Sequence, residues 1–261
     1  MLADRRAAES LLAFWADAPQ DRTAAGRQAL TRKPSVATAA APSARALAQP
    51  VEAFDGGAVA AARAAAAAAD DLGALAAAIA AFDGCPLKHQ GARQAVFSRG
   101  AADAHVMVIG EGPGGEEDLQ GAPFVGRAGK LLDKMLAAAG LSERVFITNT
   151  VFWRPPGNRT PTPAEQAACA PFLERAIALV RPRILLLVGA ASAKHLLQRT
   201  EGILSLRGRW FEWRSEDGQI ELPALPTLHP AFLLRQPAAK KLAWNDFLTL
   251  TERLDRGQRR T

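Results

Sequence analysis

The chain predicts an α/β fold, a three-layer α/β/α sandwich around a four-stranded parallel sheet. Two observations carry that expectation. Short apolar runs alternate with helix-like segments in the order strand, helix, strand, helix, strand, helix, strand. The run "RILLLVG" (183–189) is apolar on both faces, as a strand covered by helices from both sides must be.

The elements follow in chain order. "HVMVIG" (105–110) is a short buried strand that runs into glycines. "AGKLLDKMLAAAG" (128–140) sets Leu131, Leu132, Met135 and Leu136 along one helical stripe and stops at Gly140. "RVFITNTV" (144–151) is a second strand. "TPAEQAACAPFLERAIALV" (162–180) opens a helix with Thr162 and Glu165 in capping-box spacing and Pro163 in the first turn. After the third strand, "ASAKHLLQ" (191–198) is helical, and "PALPTLHP" (223–230) ends a fourth strand in a loop. Ligands of open α/β sheets collect at the carboxyl ends of the strands. Those ends are 110–115, 149–158, 189–192 and His229.

Ahead of this domain, placed at 82–256, the sequence predicts three segments. Residues 1–18 form a short amphipathic helix with Leu11, Leu12, Phe14 and Trp15. Residues 19–50 read as a disordered linker, and 51–81 as two Ala-rich helices. The helix on its tether suits recruitment of another protein, or folding back on the domain; both remain open.

The net charge of +6 is uneven. Residues 1–82 hold 8 Lys and Arg against 8 Asp and Glu, whereas the remainder holds 24 against 18. Basic domains attract polyanions, nucleic acid above all. Two cysteines, Cys85 and Cys169, exclude a disulfide scaffold and fit a reducing cytoplasm. No apolar stretch is long enough to span a membrane.

"VMVIGEGPGGEED" (106–118) spells G-x-G-x-x-G through Gly110, Gly112 and Gly115. A dinucleotide site needs one unbroken helix starting inside that motif. Here Gly121 and Pro123 interrupt it, and Glu111, Glu116, Glu117 and Asp118 crowd the place of the phosphates. A nicotinamide or flavin enzyme is therefore set aside. The loop instead suits backbone held close to a ligand beside one positioned carboxylate.

The segments "GEGPGGEED", "GAPFVGRAGKLLDKML", "VFITNTVFWRPPGNRTPTPAE", "RGRWFEW" and "PTLHPAFLLRQP" resemble, in order and spacing, the fourth family of uracil-DNA glycosylases. The resemblance covers 82 to about 250. It implies a monofunctional enzyme that hydrolyses uracil from DNA and leaves an abasic site. A uracil- or DNA-binding protein of the same fold without turnover is the alternative, and Glu111, Asn149 and His229 argue against it.

The resemblance also implies roles. Asn149 would read O4 and N3–H of a flipped uracil, which one amide can pair together; by itself it could equally be a turn former. Phe124 would stack on the base, where a lone Phe is otherwise core. His229 would donate to the charge growing on O2. Glu111 would orient water or stabilise the cationic sugar, with Asn158 near the sugar and Gly112, Pro113 and Gly114 against the base. Glu117 would prop the loop. Leu233, Leu234 and Arg235 are wedge candidates, with Arg159, Lys240 and Lys241 available for phosphates.

Many members of that family hold a [4Fe-4S] cluster on four cysteines. Cys85 and Cys169 match two of its positions, but Phe82 and Trp153 occupy the other two. Two thiolates cannot hold a cluster that wants four, so no metal or cofactor is expected. The chain also has no tyrosine, with Phe146, Phe211 and Phe232 where family members often carry one. Catalysis should not depend on a tyrosine. The expected partner is uracil-containing DNA, with no membrane, and the expected state is a monomer.

Overall fold

A parallel pairing lies at the centre: strand β2 (Val106–Gly110) runs beside β3 (Val145–Asn149) on one side and β4 (Ile184–Val188) on the other. The computed structural model describes residues 56–258, so the expected helix at 1–18 and linker at 19–50 lie outside the described residues. The sheet has six strands in the order β1-β3-β2-β4-β6-β5. β3, β2, β4 and β6 (Glu221–Thr227) form the expected four-stranded parallel core. Two short antiparallel strands extend it at the edges, β1 (Arg99–Gly100) on β3 and β5 (Phe211–Arg214) on β6. The parallel core is as expected, and the edge strands add to it. Neither edge strand has an apolar run to announce it.

Side chains alternate across the sheet with the two-residue period of a strand. Met107, Ile109, Phe146, Leu185, Leu187 and Ala224 face one core; Val106, Val108, Val145, Ile147, Leu186 and Leu225 face the other. The first core is covered by α1 (Gly56–Ala67), α2 (Leu72–Ala81), α5 (Pro163–Val180) and α6 (Ala190–Leu197). Packed against the second are α4 (Arg127–Ala138), α8 (Pro230–Arg235) and α9 (Lys240–Gln258). The result is three layers.

The Ala-rich helices belong to this packing. Asp71 caps α2 by accepting from the Ala74 amide at 2.7 Å, and Leu75 and Ile79 are fully buried. Each of those two side chains contributes about 1.5–3 kcal/mol of burial. Arg175 of α5 donates twice to the Ala69 carbonyl just after α1, which ties the link between the pair to α5. Helix α5 starts at the predicted capping box: Thr162 Oγ1 accepts from the Glu165 amide at 3.2 Å, and Glu165 accepts from the Thr162 amide at 2.7 Å. In the glycine loop, helix α3 (Gly115–Gln120) spans six residues before Gly121 ends it at φ 75°. A short α7 (Ile203–Leu206) leads into β5.

Candidate active site

A cavity of about 550 Å³ opens where β2, β3 and β6 end. The register of β2 on β3 sets Gly110 directly beside Asn149. Thr150 fastens the two strand ends together: its amide donates to the Gly110 carbonyl at 3.0 Å, and its hydroxyl donates to the Glu111 carbonyl at 2.6 Å. Glu111 and Asn149 both line the cavity.

Asn149 is 1% exposed, and its Oδ1 has no hydrogen-bond partner among the described residues. A buried polar atom left unpaired costs about 1–3 kcal/mol. An acceptor kept in that state on the wall of a cavity is suited to a donor that arrives with a ligand. Gly110 makes room for it. A Cβ at that position would lie 2.4 Å from Asn149 Oδ1 and 2.5 Å from Phe124 Cζ, so both side chains occupy the space a larger residue would take.

Phe124 lines the cavity at 6% exposure with φ 55°, a left-handed conformation that non-glycine residues adopt at a cost. Three groups hold it there. Arg99 donates to the Pro123 carbonyl at 2.7 Å and to the Phe124 carbonyl at 3.2 Å, and is itself held by Asp133 at 2.6 Å. Gly129 lets α4 come against the turn, since a Cβ there would lie 1.7 Å from the Phe124 carbonyl oxygen. Glu117 accepts from the amides of Val125 and Gly126 at 3.1 and 3.0 Å with one oxygen, and from Gly114 at 3.1 Å with the other. That one carboxylate links the glycine loop to the Phe124 turn.

His229 lies opposite, its ring 5.7 Å from that of Phe124 and tilted by 31°. It caps helix α8: its Nδ1 accepts from the Ala231 amide at 3.1 Å. Nδ1 therefore carries no proton, and the neutral ring bears its hydrogen on Nε2. Burial pushes the imidazole pKa from 6.5 down to about 4, with the charge of Arg235 acting in the same direction and Glu117 opposing. At neutral pH the ring is an uncharged donor. It rests on Gly189, at φ 100°, where a Cβ would lie 3.1 Å from that of His229.

Gly112, Pro113, Gly114, Asn158, Arg159 and Arg235 complete the walls already described. Asn158 is at φ 55°, and its Oδ1 accepts from Arg154 Nε at 2.8 Å, so its amide offers N–H groups to a ligand. Arg154 and the Arg99–Asp133 brace carry no signal that the sequence alone would have marked.

Two expectations are corrected. Leu233 is fully buried in the core under α9, where it cannot enter DNA; Leu234 next to it is exposed. Lys240 is 4% exposed and is not displayed toward a phosphate, whereas Lys241 is exposed. Arg159 grips Glu165 through both oxygens at 2.6 and 2.8 Å while its side chain stays 40% exposed on the cavity wall. Leu234 and Arg235 remain at the surface beside the cavity.

Residues 97–248 match the family model described as the uracil DNA glycosylase superfamily. The chain belongs to that superfamily. It is 41% identical over 175 residues to the type-4 uracil-DNA glycosylase of Pyrobaculum aerophilum, covering 65% of this chain and 88% of that one. The type-4 enzyme of Saccharolobus solfataricus is 41% identical over 62% of this chain and 77% of its own length. That of Thermotoga maritima is 42% identical over 58% and 77% respectively. These similarities put the chain in the type-4 branch.

The positions matched to cluster ligands in that branch do not fit an iron–sulfur group. Cys85 and Cys169 are both fully buried, with their sulfurs 3.8 Å apart and in direct contact. Phe82 packs edge-on against Phe172 at 5.1 Å, and Trp153, 1% exposed, against Phe152 at 6.4 Å. Neither ring offers a metal ligand, and the chain has no other cysteine.

Two outcomes are expected. Gly110→Ala displaces Asn149 and Phe124 together and lowers kcat/KM for any ligand they read by about 100-fold or more, since misplacement of about 1 Å costs that much; steady-state kinetics check it. The second concerns acid. Between the ordinary pKa of 6.5 and the folded value of about 4, the unfolded chain takes up a proton at His229 that the folded chain refuses. Stability is thus lost as pH falls through this window, by about 3 kcal/mol at about 1.4 kcal/mol per unit. Urea unfolding at pH 7.5 and 4.5 should show a flatter acid dependence in His229→Gln than in the parent.

Proposed function

We propose that the chain hydrolyses the N-glycosidic bond of uracil in DNA and leaves an abasic site. The observation that carries this reading is the pairing in one cavity of a neutral Nε2–H donor on His229 with the unsatisfied acceptor on Asn149. Uracil presents N3–H between two carbonyl oxygens. Asn149 Oδ1 takes N3–H and its amide N–H takes O4, which leaves O2 for His229. Phe124 supplies a ring against which the flipped base stacks.

The chemistry follows from where charge moves. As C1′–N1 breaks, its electron pair goes to uracil and spreads onto O2, while the sugar becomes an oxocarbenium ion. The Nε2–H bond to O2 strengthens as that charge grows, so it favours the transition state over the bound substrate. Glu111 carries negative charge toward the cationic sugar and accepts a hydrogen bond from the water that adds at C1′. The water's hydroxyl stays on C1′ and its proton leaves; uracil departs after protonation. Asn158 donates to the sugar or to the water. Glu117 holds the loop that carries Phe124, and the backbone at Gly112, Pro113 and Gly114 lies against the base. Leu234 and Arg235 are the wedge and phosphate contact. No lysine lines the cavity among the described residues, which supports hydrolysis without a covalent imine and without strand cleavage.

The reading includes a chain that works as a monomer in the cytoplasm and needs no cluster. The segment before the described residues is proposed to recruit another protein.

Release of uracil from single- and double-stranded oligonucleotides with one uracil tests the reaction. Alkali-labile product is expected from the parent and loss of at least about 100-fold from Asn149→Ala. That variant should melt at the same temperature or higher, because it removes a buried unsatisfied acceptor. Binding without excision by the parent would favour the alternative, a DNA-binding protein of the same fold. Iron analysis of the same preparation should find none, with no visible absorption band; a brown, active protein with stoichiometric iron would refute the cluster-free reading.

A further inference from the structure

Helix α9 buries a carboxylate within a face that is otherwise apolar. Ala243, Trp244, Phe247, Leu250 and Leu254 enter the second core, and Asp246, 1% exposed, sits among them. Arg207 clasps it, with Nε 3.1 Å from Oδ2 and Nη2 bonded to Oδ1. The same Nη2 donates to the Leu242 carbonyl at 2.5 Å. The remaining contact is the informative one: the hydroxyl of Thr227 donates to Asp246 Oδ2 at 2.7 Å.

Thr227 is the last residue of β6, two positions before His229. Its carbonyl accepts from the Gly189 amide at 3.0 Å, and Gly189 is the residue on which the His229 ring rests. On the other side, Gly208 donates to the Pro226 carbonyl at 3.0 Å. Gly208 is at φ 71°, and a Cβ there would lie 2.7 Å from Asp246 Oδ1. The end of β6 is thus fixed from behind by α9, from below by the end of β4, and from the side by the turn after α7.

A buried ion pair is rarely worth more to stability than apolar residues of the same volume. A strand end so tied needs no carboxylate merely to stay folded, but a hydroxyl–carboxylate bond fixes distance and direction where apolar contact allows sliding. We propose that Asp246, held by Arg207, is a positioning residue that acts through Thr227 to set the place of His229 over the uracil O2. It touches neither base nor sugar. The proposal rests on His229 being the donor to O2, and the experiment separates the two.

Single-turnover excision on saturating single-uracil DNA is measured for Thr227→Val, Thr227→Ser and Asp246→Asn, each also in a His229→Ala background, together with DNA affinity. Thr227→Val keeps the volume and removes the hydroxyl, so it serves if Asp246→Asn fails to fold. About a tenfold loss of rate is expected from Thr227→Val, with affinity within about twofold. Thr227→Ser should restore the rate, and the loss should vanish when His229 is already absent. An equal loss in both backgrounds, a loss of affinity instead of rate, or an unchanged rate in Thr227→Val would overturn the proposal. A His229→Ala enzyme as fast as the parent would refute the donor role itself and, with it, the positioning of that donor.

Discussion

The cavity depends on one register. β2 and β3 run parallel with Gly110 opposite Asn149, and a slip of one residue would turn Asn149 to the other face of the sheet. Parallel pairing is also what brings the ends of both strands to the same edge. With Gly110 as the one residue small enough for that corner, Asn149 and Phe124 converge on it from the strand and from the turn before α4. The apolar residues along both strands hold the register: Val106, Val108, Val145 and Ile147 face one layer, and Met107, Ile109 and Phe146 the other. Core and site are consequently one problem. The hydrophobic alternation that buries the sheet also aims the polar groups at its end.

This explains what was legible beforehand. The strands announce themselves by apolar runs, and the helix at 163–180 by Thr162, Pro163 and Glu165. Asn149 and His229 lie at strand ends, and the family resemblance is what singles them out there. The failures have a common cause in rotation. Whether Leu233 or Leu234 meets the core depends on the phase of a helix six residues long, and whether Lys240 or Lys241 does depends on the phase at which α9 starts. Composition cannot fix a phase. The ion pair of Arg159 is a separate case: its partner Glu165 lies six residues on, across a turn that brings them together only when folded. Burial tends to raise the Glu165 pKa, and the Arg159 contact and Thr162 cap outweigh it and bring it below the ordinary value. Residues 211–214 escaped notice because Glu212 and Arg214 alternate with aromatics on an edge strand that has water on one side.

Aromatic side chains pack at two of the positions where the family resemblance would place cluster cysteines. Three segments meet there: the turn after α2 with Phe82 and Cys85, the exit of β3 with Trp153, and α5 with Cys169 and Phe172. Phe152 stands between them, edge-on to Phe97, Trp153 and Phe172 at 5.8 to 6.4 Å. Edge-to-face pairs add about 0.5–1.5 kcal/mol each beyond the area they bury. Burial lifts the Cys169 thiol far above its usual pKa, whereas the hydrogen bond from Cys169 lowers that of Cys85. The β3 exit that this cluster anchors leads directly to Asn158, so the packing bears on the cavity even though it lies behind it.

The protonation of His229 bears on whether the cavity is built for turnover or for binding alone. An imidazolium would attract phosphates and the Glu117 carboxylate in the ground state, and so would strengthen every complex, reacting or not. The neutral ring lacks that general attraction. An Nε2–H donor bonds weakly to a carbonyl oxygen and more strongly to an oxygen that carries charge, so in the role proposed for His229 the benefit is concentrated in bond breaking. Keeping the ring neutral requires burial and a backbone amide on Nδ1, and burial alone already disfavours the protonated form. The left-handed Phe124 and the unsatisfied Asn149 add costs of about 1–3 kcal/mol each by the same logic. A protein that only recognised uracil could satisfy Asn149 by a looser pocket and leave the histidine solvated. Three separate costs converging on one cavity are better explained by a site that must be rigid at the moment the bond breaks.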